Sequence, residues 1–340
     1  MTPSHKLPSI SVLIPTLNAA KPLQECLRLI AEQDYPRGKV EVIIADGGST
    51  DSTIAVARRF GAKVVTNKLK TGEAGKAAAL KAAKNEIVAL IDSDNYLPTK
   101  NWLRRMVESF ADPEIFGSEP IAYTYRRRDG LITRYCALMG MNDPICLFLG
   151  NYDRYNYLTG RWTGMDVKSE DRGNYLELYL NKNQIPTIGA NGTMIRRKMM
   201  QDHIGDYLFD IDEIHRLVAE GHNKFAKVKI GIIHIFSGSV STFIRKQKRR
   251  MRDYAYYQKL GIRRYPWSKL NKFGLLKFTV YSGLWLPTLG QALVGFMKKP
   301  DKAWFFHPLA SWLTLWIYGT EKIKQKVLGV QAMTRGSWRQ

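Results

Sequence analysis

Glu86-Ile87-Val88-Ala89-Leu90-Ile91-Asp92-Ser93-Asp94 is the stretch on which the reading of this chain turns. The unbroken apolar run after a helical segment predicts a strand buried on both faces, as in a parallel sheet. Two carboxylates follow, spaced i and i+2, where a turn can bring both onto one hard divalent cation. Open α/β sheets bind their ligands in crevices at the carboxyl ends of strands. The pattern therefore marks both a strand and a candidate site.

The same punctuation recurs upstream. Residues 9–14 predict a first strand, ended by Pro15-Thr16-Leu17-Asn18, and residues 40–45 a second, ended by Asp46-Gly47-Gly48-Ser49-Thr50-Asp51. Residues 62–65 predict a short third strand and 87–91 the fourth. Helical apolar spacing appears at Leu23, Cys26, Leu27 and Ile30, and further helices are expected over 52–60 and 75–84. Strand and helix alternating at these lengths imply right-handed βαβ crossovers, hence an α/β fold with a mainly parallel sheet flanked by helices.

Downstream the pattern loosens. Residues 117–185 are rich in Tyr, Arg, Asn and Gly. They predict an irregular, partly helical segment, either an insertion packed on the core or a cover for the cleft or a membrane surface. Strand and turn resume at 188–195. A helix with carboxylates in its first turn follows over 207–220, and then a strand over 225–235 that ends near His234.

Phe273–Met297 carries one charge, Lys277, and Ala303–Gly319 carries none. Each is near the ~20 residues that cross a bilayer. The lysines at 298, 299 and 302 would then lie outside, against the positive-inside tendency. Three readings stay open: a spanning hairpin, an interfacial pair of helices, or buried core helices.

The 340-residue chain has a formal charge of +22. Between Arg196 and Lys272, 18 Lys/Arg stand against 7 Asp/Glu, a net +11. Such a field attracts nucleic acid, anionic lipid headgroups or diphosphates. Cys26, Cys136 and Cys146 have no metal or disulfide spacing, which fits buried thiols in a reducing compartment. No signal peptide precedes the first strand, so the strand-rich part is expected on the cytoplasmic side of a cell membrane.

Four ordered motifs now stand together: Ser11-Val12-Leu13-Ile14-Pro15-Thr16-Leu17-Asn18, Ala45 through Thr53, Gly75-Lys76-Ala77-Ala78-Ala79-Leu80, and Ile91-Asp92-Ser93-Asp94. In order and spacing the chain resembles the family 2 glycosyltransferases with the GT-A (Rossmann-like) fold, over residues 8–100 and again over 185–255. The resemblance implies an inverting enzyme that uses a nucleotide-diphosphate sugar and Mn2+ or Mg2+. Pro15 and Thr16 would line the nucleotide, Asp46 would face the base, and Lys76 and the Asp92-Ser93-Asp94 stretch would meet the donor. Asp92 and Asp94 would serve the metal, with His234 as a further ligand. Many relatives carry a second Asp where this chain has Gly47.

Alignment on Arg216-Leu217 puts Asp210 at the catalytic-base position and Phe209 where Glu is usual, with Asp212 as the second acidic candidate. Gln247, Arg249 and Arg250, within the basic run Arg245–Arg252, match a diphosphate-binding motif whose closing Trp is here Met251. The domains expected are a catalytic domain over 1–240 (donor half 8–100, acceptor half 101–240), a basic connecting segment over 241–272, two membrane-associated or transmembrane helices over 273–320, and a basic tail over 321–340. A lipid-linked acceptor, such as a polyprenyl phosphate, a lipid-linked saccharide or a glycolipid, would account for the apolar segments. The competing readings are a polyanion- or nucleic-acid-binding protein, which lacks a reader motif, and an inactive membrane scaffold.

Overall fold

A computed structural model describes residues 7–265 and 271–330. Residues 1–6, 266–270 of the connecting segment and 331–340 of the basic tail lie outside the described residues. The chain forms two compact units, one joining residues up to Thr124 with Asp166–His234, the other joining Tyr125–Met165 with the part from Ile235 onward. A reading along the chain does not contain that grouping of 125–165 with the C-terminal part.

In the first unit, β1 (Ile10–Thr16), β2 (Val40–Asp46), β3 (Lys63–Thr66) and β4 (Ile87–Leu90) form the expected parallel half of the sheet. β1 lies between β2 and β4, with Ile10 opposite both Val40 and Ile87. Both its faces are covered, which is why its apolar run does not alternate. Helix α1 (Ala20–Ala31) buries Leu23, Cys26, Leu27 and Ile30, and α2 (Thr53–Arg59) and α3 (Gly72–Ala82) complete the crossovers. The α3 start lies three residues earlier than expected because Thr71 caps it, its hydroxyl accepting from the Ala74 N–H at 3.0 Å.

The other half of the ten-stranded sheet corrects the expectation of a mainly parallel one. β5 is Asn95–Tyr96, β6 Gly117–Tyr123, β7 Lys168–Asp171, β8 Tyr175–Tyr179, β9 Thr193–Arg196 and β10 Lys224–His234. Their order continues β4-β9-β6-β10-β8-β7, with β5 pairing β10 off that path. β9 runs antiparallel to both neighbours, and only β6 and β10 pair in parallel. Helices α4 (Trp102–Val107) and α7 (Asp210–Ala219) belong to this unit too, the numbering following the chain.

β6 hides from a sequence reading because it holds Glu119 and Pro120, yet Glu119 is wholly buried. Its register partner on β10 is Lys227, also wholly buried, and the ammonium donates to the Glu119 carboxylate. A charge normally marks a solvent face; here two charges satisfy each other across a ladder.

The second unit is helical: α5 (Leu131–Met139), α6 (Ile145–Leu149), α8 (Val240–Lys259), α9 (Lys272–Leu284), α10 (Leu286–Lys298) and α11 (His307–Leu328). Its core gathers Tyr135, Met139, Tyr152, Phe243, Trp304 and their neighbours. α10 approaches Trp304 so closely that a Cβ on Gly295 would stand 2.5 Å from the indole.

Among the described residues no helix is long and apolar enough to cross a membrane, which corrects the spanning-hairpin expectation. The apolar run 273–297 is split into two 13-residue helices at Trp285, whose φ is +63°. A helix of that length rises only about 20 Å. The run 303–319 enters the longer α11, which ends in Glu321, Lys322, Lys324 and Lys326. The split helices nevertheless leave Phe273, Leu276, Leu284, Leu286 and Met297 exposed.

Candidate active site

The sequence motifs meet at the carboxyl ends of the parallel strands. β1 delivers Pro15 and Thr16, β2 delivers Asp46, and β4 leads into Asp92-Ser93-Asp94. Thr16 and Asp46 are register partners, and the Thr16 hydroxyl donates to Asp46 Oδ1 at 3.2 Å. The same carboxylate accepts from the Gly48 and Ser49 N–H groups at 2.8 Å each and from the Ser49 hydroxyl at 2.6 Å. Four donors match the roughly four acceptor positions of a carboxylate. Asp46 thus shapes the 46–51 turn, a role its sequence motif does not announce. Gly47 has ordinary contact distances around a would-be Cβ, the nearest atoms being 3.4 Å away.

Helix α3 carries Lys76 into this edge. The glycine before it is a packing requirement, since a Cβ on Gly75 would lie 2.7 Å from Pro15 Cβ and 2.9 Å from Asn67 Nδ2. Lys76 Nζ donates to both oxygens of Asp210, at 3.0 and 2.9 Å. Asp210 opens α7, and the Leu208 N–H donates to the Glu73 carbonyl of α3 at 3.0 Å, so the two helix starts are tied together.

The side chains of the pair are 8% and 16% exposed. Burial raises the Asp210 carboxyl above the ordinary carboxylate range, and Lys76 offsets only part of that rise. Burial lowers the Lys76 ammonium, but the charges of Asp210, Asp92 and Glu73 outweigh it and the net direction is up. Asp212 is buried at 3% exposure, and Glu213 is taken by Arg216 at 3.0 Å.

The Asp92-Ser93-Asp94 turn is closed by Asn95. Its side-chain oxygen accepts from the Asp92 N–H at 3.0 Å, while its own N–H donates to the Asp92 carbonyl at 2.9 Å. Asn95 then donates to Asn191 at 3.0 Å, and Asn191 donates to the Tyr123 hydroxyl at 3.0 Å. The sequence reading missed this chain of side chains; its one local signal was the Asn191-Gly192 turn after residue 188. β5 pairs with the end of β10, Asn95 opposite His234, which brings His234 Nε2 to 3.7 Å from Asp94 Oδ1.

Among the described residues no group of three His, Cys, Asp or Glu side chains is arranged to hold a metal ion. Asp92, Asp94 and His234 do not form a closed cage. The Asp94–His234 pair offers one oxygen and one nitrogen, with Asp94 29% exposed. That donor set fits a divalent ion whose remaining positions are filled by a ligand's oxygens.

Gln247, Arg249 and Arg250 lie on α8 of the second unit. Gln247 is wholly buried and donates to the Asn142 carbonyl at 3.0 Å. Arg250 donates to Gln247 Oε1 at 2.6 Å and pairs with Asp143 at 3.0 Å, and the Tyr318 hydroxyl donates to Asp143 as well. These two motif residues hold α8, α11 and the 142–143 turn together. Arg249 is 51% exposed, 3.8 Å from Asp253.

The model of the family described as "Glycosyl transferase family 2" matches residues 11–204. The chain is 36% identical over 240 residues to the poly(ribitol-phosphate) beta-N-acetylglucosaminyltransferase TarS of Staphylococcus aureus, covering 62% of this chain and 39% of that one. It is 29% identical over 108 residues to a dolichyl N-acetyl-alpha-D-glucosaminyl phosphate 3-beta-D-2,3-diacetamido-2,3-dideoxy-beta-D-glucuronosyltransferase of Methanococcus voltae, covering 30% and 33%. The chain thus spans less than half the length of these curated relatives. In fold it is similar to the mannosyltransferase PcManGT of Pyrobaculum calidifontis, solved with GDP-Man and Mn2+, at a TM-score of 0.53 and 18% identity over 96% of this chain and 88% of that one. With a family model matching more than half its length and the family's strand-end motifs on one sheet edge, this chain belongs to glycosyl transferase family 2.

Proposed function

We propose that the protein is an inverting, metal-dependent transferase that moves a sugar from a nucleotide-diphosphate sugar to a lipid-linked acceptor at the cytoplasmic face of a membrane. The observation that carries this reading is the strand-end edge of the first unit, where an Asp94–His234 pair and a buried Lys76–Asp210 pair accompany the Thr16–Asp46 turn.

Asp94 and His234 would hold Mn2+ or Mg2+, which when bound neutralises diphosphate charge as a Lewis acid and template. Asp92 and Ser93 face the donor. Asp210 acts on the acceptor: its carboxylate takes the proton from the attacking hydroxyl while that oxygen reaches the anomeric carbon opposite the departing diphosphate. Lys76 occupies one acceptor position on each Asp210 oxygen and leaves others for the hydroxyl. Its charge also keeps the carboxylate ionised, which burial opposes. An acceptor that is itself a phosphate arrives ionised and needs little from Asp210.

The lipid part of the reading is supported by the exposed Leu, Phe and Trp side chains of α9, α10 and α11 and by the +22 charge, which favours anionic headgroups. One relative's name points the same way, to a dolichyl phosphate, and another names a phosphate-bearing polymer, a poly(ribitol-phosphate).

A thermal-shift screen against nucleoside diphosphates, each with and without Mn2+, tests the donor half. A ligand at 100 times its Kd stabilises by about 2.7 kcal/mol. Metal-dependent stabilisation by one nucleotide is the expected result. No shift with any nucleotide overturns the donor reading. Product analysis with polyprenyl phosphate and with soluble acceptors tests the lipid part, and the anomeric configuration of the product tests inversion.

A further inference from the structure

Two open hollows in the second unit share the walls Leu147, Phe148 and Thr159. Their volumes are about 510 and 590 Å3, within the ordinary range for small-molecule sites. The lining of the second hollow is mostly apolar or aromatic, while that of the first divides evenly between polar and apolar surface. The charged side chains that line them are Arg161 in one and Lys277 in the other, both cationic, with no carboxylate among the lining residues. Val294 lines the second hollow and is itself 38% exposed, so the apolar wall opens onto the exposed face of α10. Gly290 stands in the same wall with open space where a Cβ would go.

We propose that these adjoining hollows hold the hydrocarbon chain of a phosphate-bearing lipid, its phosphate paired with Arg161 and Lys277. The largely apolar wall of the second hollow, with cations as the charged groups lining both, complements an amphiphile with one anionic end. A free polyanion would satisfy the cations and leave the Leu, Phe and Val surface wet. The inference rests on the lipid-linked acceptor reading above and gives that acceptor's chain a place.

The test uses the full chain in detergent with a benzophenone-bearing farnesyl monophosphate and its alcohol analogue as photoprobes. Labelling is expected in residues 147–164 and 277–294. Gly290→Phe, which fills the hollow, should cut labelling by about tenfold or more, and so should the double change Arg161→Gln/Lys277→Gln with the phosphate probe alone, charged hydrogen bonds being lost. Melting temperatures and the nucleotide-induced shift serve as folding controls.

Labelling elsewhere, equal labelling by alcohol and phosphate, or native labelling of folded Gly290→Phe overturns the proposal. If Gly290→Phe does not fold, the double variant decides. Sugar transfer to soluble acceptors alone, with labelling still in the hollows, would sink the lipid-acceptor reading and leave the lipid site standing. Transfer to a lipid acceptor with native labelling and KM in folded Gly290→Phe would do the reverse.

Discussion

Two lysine–carboxylate pairs of the first unit are alike in composition and opposite in setting. Glu119 and Lys227 face each other across the β6–β10 ladder with both side chains fully buried. Lys76 and Asp210 meet where two helices begin, their side chains 8% and 16% exposed. A pair sealed in a sheet can only hold strands in register. A pair at a strand-end edge keeps lone pairs within reach of a ligand, and its burial tunes the carboxyl upward. The second unit supplies a third case: Arg250 and Gln247 match a ligand-binding motif and are used to join helices. Residue type nominates; the number of contacts already satisfied decides.

The comparison breaks most visibly at Asp210. Asp210→Asn should lower kcat by about 10²- to 10⁴-fold, as expected for a lost general base, while nucleotide-induced stabilisation is kept. Activity should fall as pH drops through the raised Asp210 pKa, because the working form is ionised. Lys76 pulls that pKa down, so Lys76→Met should move the acid limb of the kcat/KM profile to higher pH. An unmoved limb would detach Lys76 from the base.

Lys227→Met should cost about 3–5 kcal/mol by leaving the Glu119 charge buried without its counter-ion, read by denaturant unfolding. The double change Glu119→Gln/Lys227→Met should recover most of it. Equal losses in Lys227→Met and Lys76→Met would erase the distinction drawn here.

A buried titratable group in the second unit sharpens the contrast. His307 is fully buried, its Nδ1 2.8 Å from the Tyr135 hydroxyl and its Nε2 3.0 Å from Gln291 Oε1. Burial pushes its pKa down to about 4 from the ordinary 6.5. The unfolded chain therefore binds the proton first, and stability present above pH 6.5 is lost as pH falls toward about 4. The loss should approach 3 kcal/mol on the order of magnitude set by linkage, and His307→Gln should flatten it. The smallest effect is expected at Arg249: exposed, and at 3.8 Å from Asp253, its replacement by Gln should change stability by less than about 0.5 kcal/mol. A large loss of nucleotide binding in that variant would instead support a donor-binding role for the motif residue.

The strand-end motifs, the parallel half of the sheet and the family resemblance were legible in the sequence because they are local. A two-faced buried strand writes itself as an apolar run, and a site turn as the polar residues that end it. The central strand β6 was not legible, since Glu119 looks solvent-exposed until Lys227 is placed opposite it. Nor was the break at Trp285, whose φ of +63° turns one apolar run into two short helices. Only the tertiary structure decided which candidates meet. Lys76 and Asp210 are 134 residues apart in the chain, and His234 reaches Asp94 through the β5–β10 pairing. Hydrogen bonds and ion pairs act over a few ångströms of space, and chain spacing carries no record of which distant groups come that close.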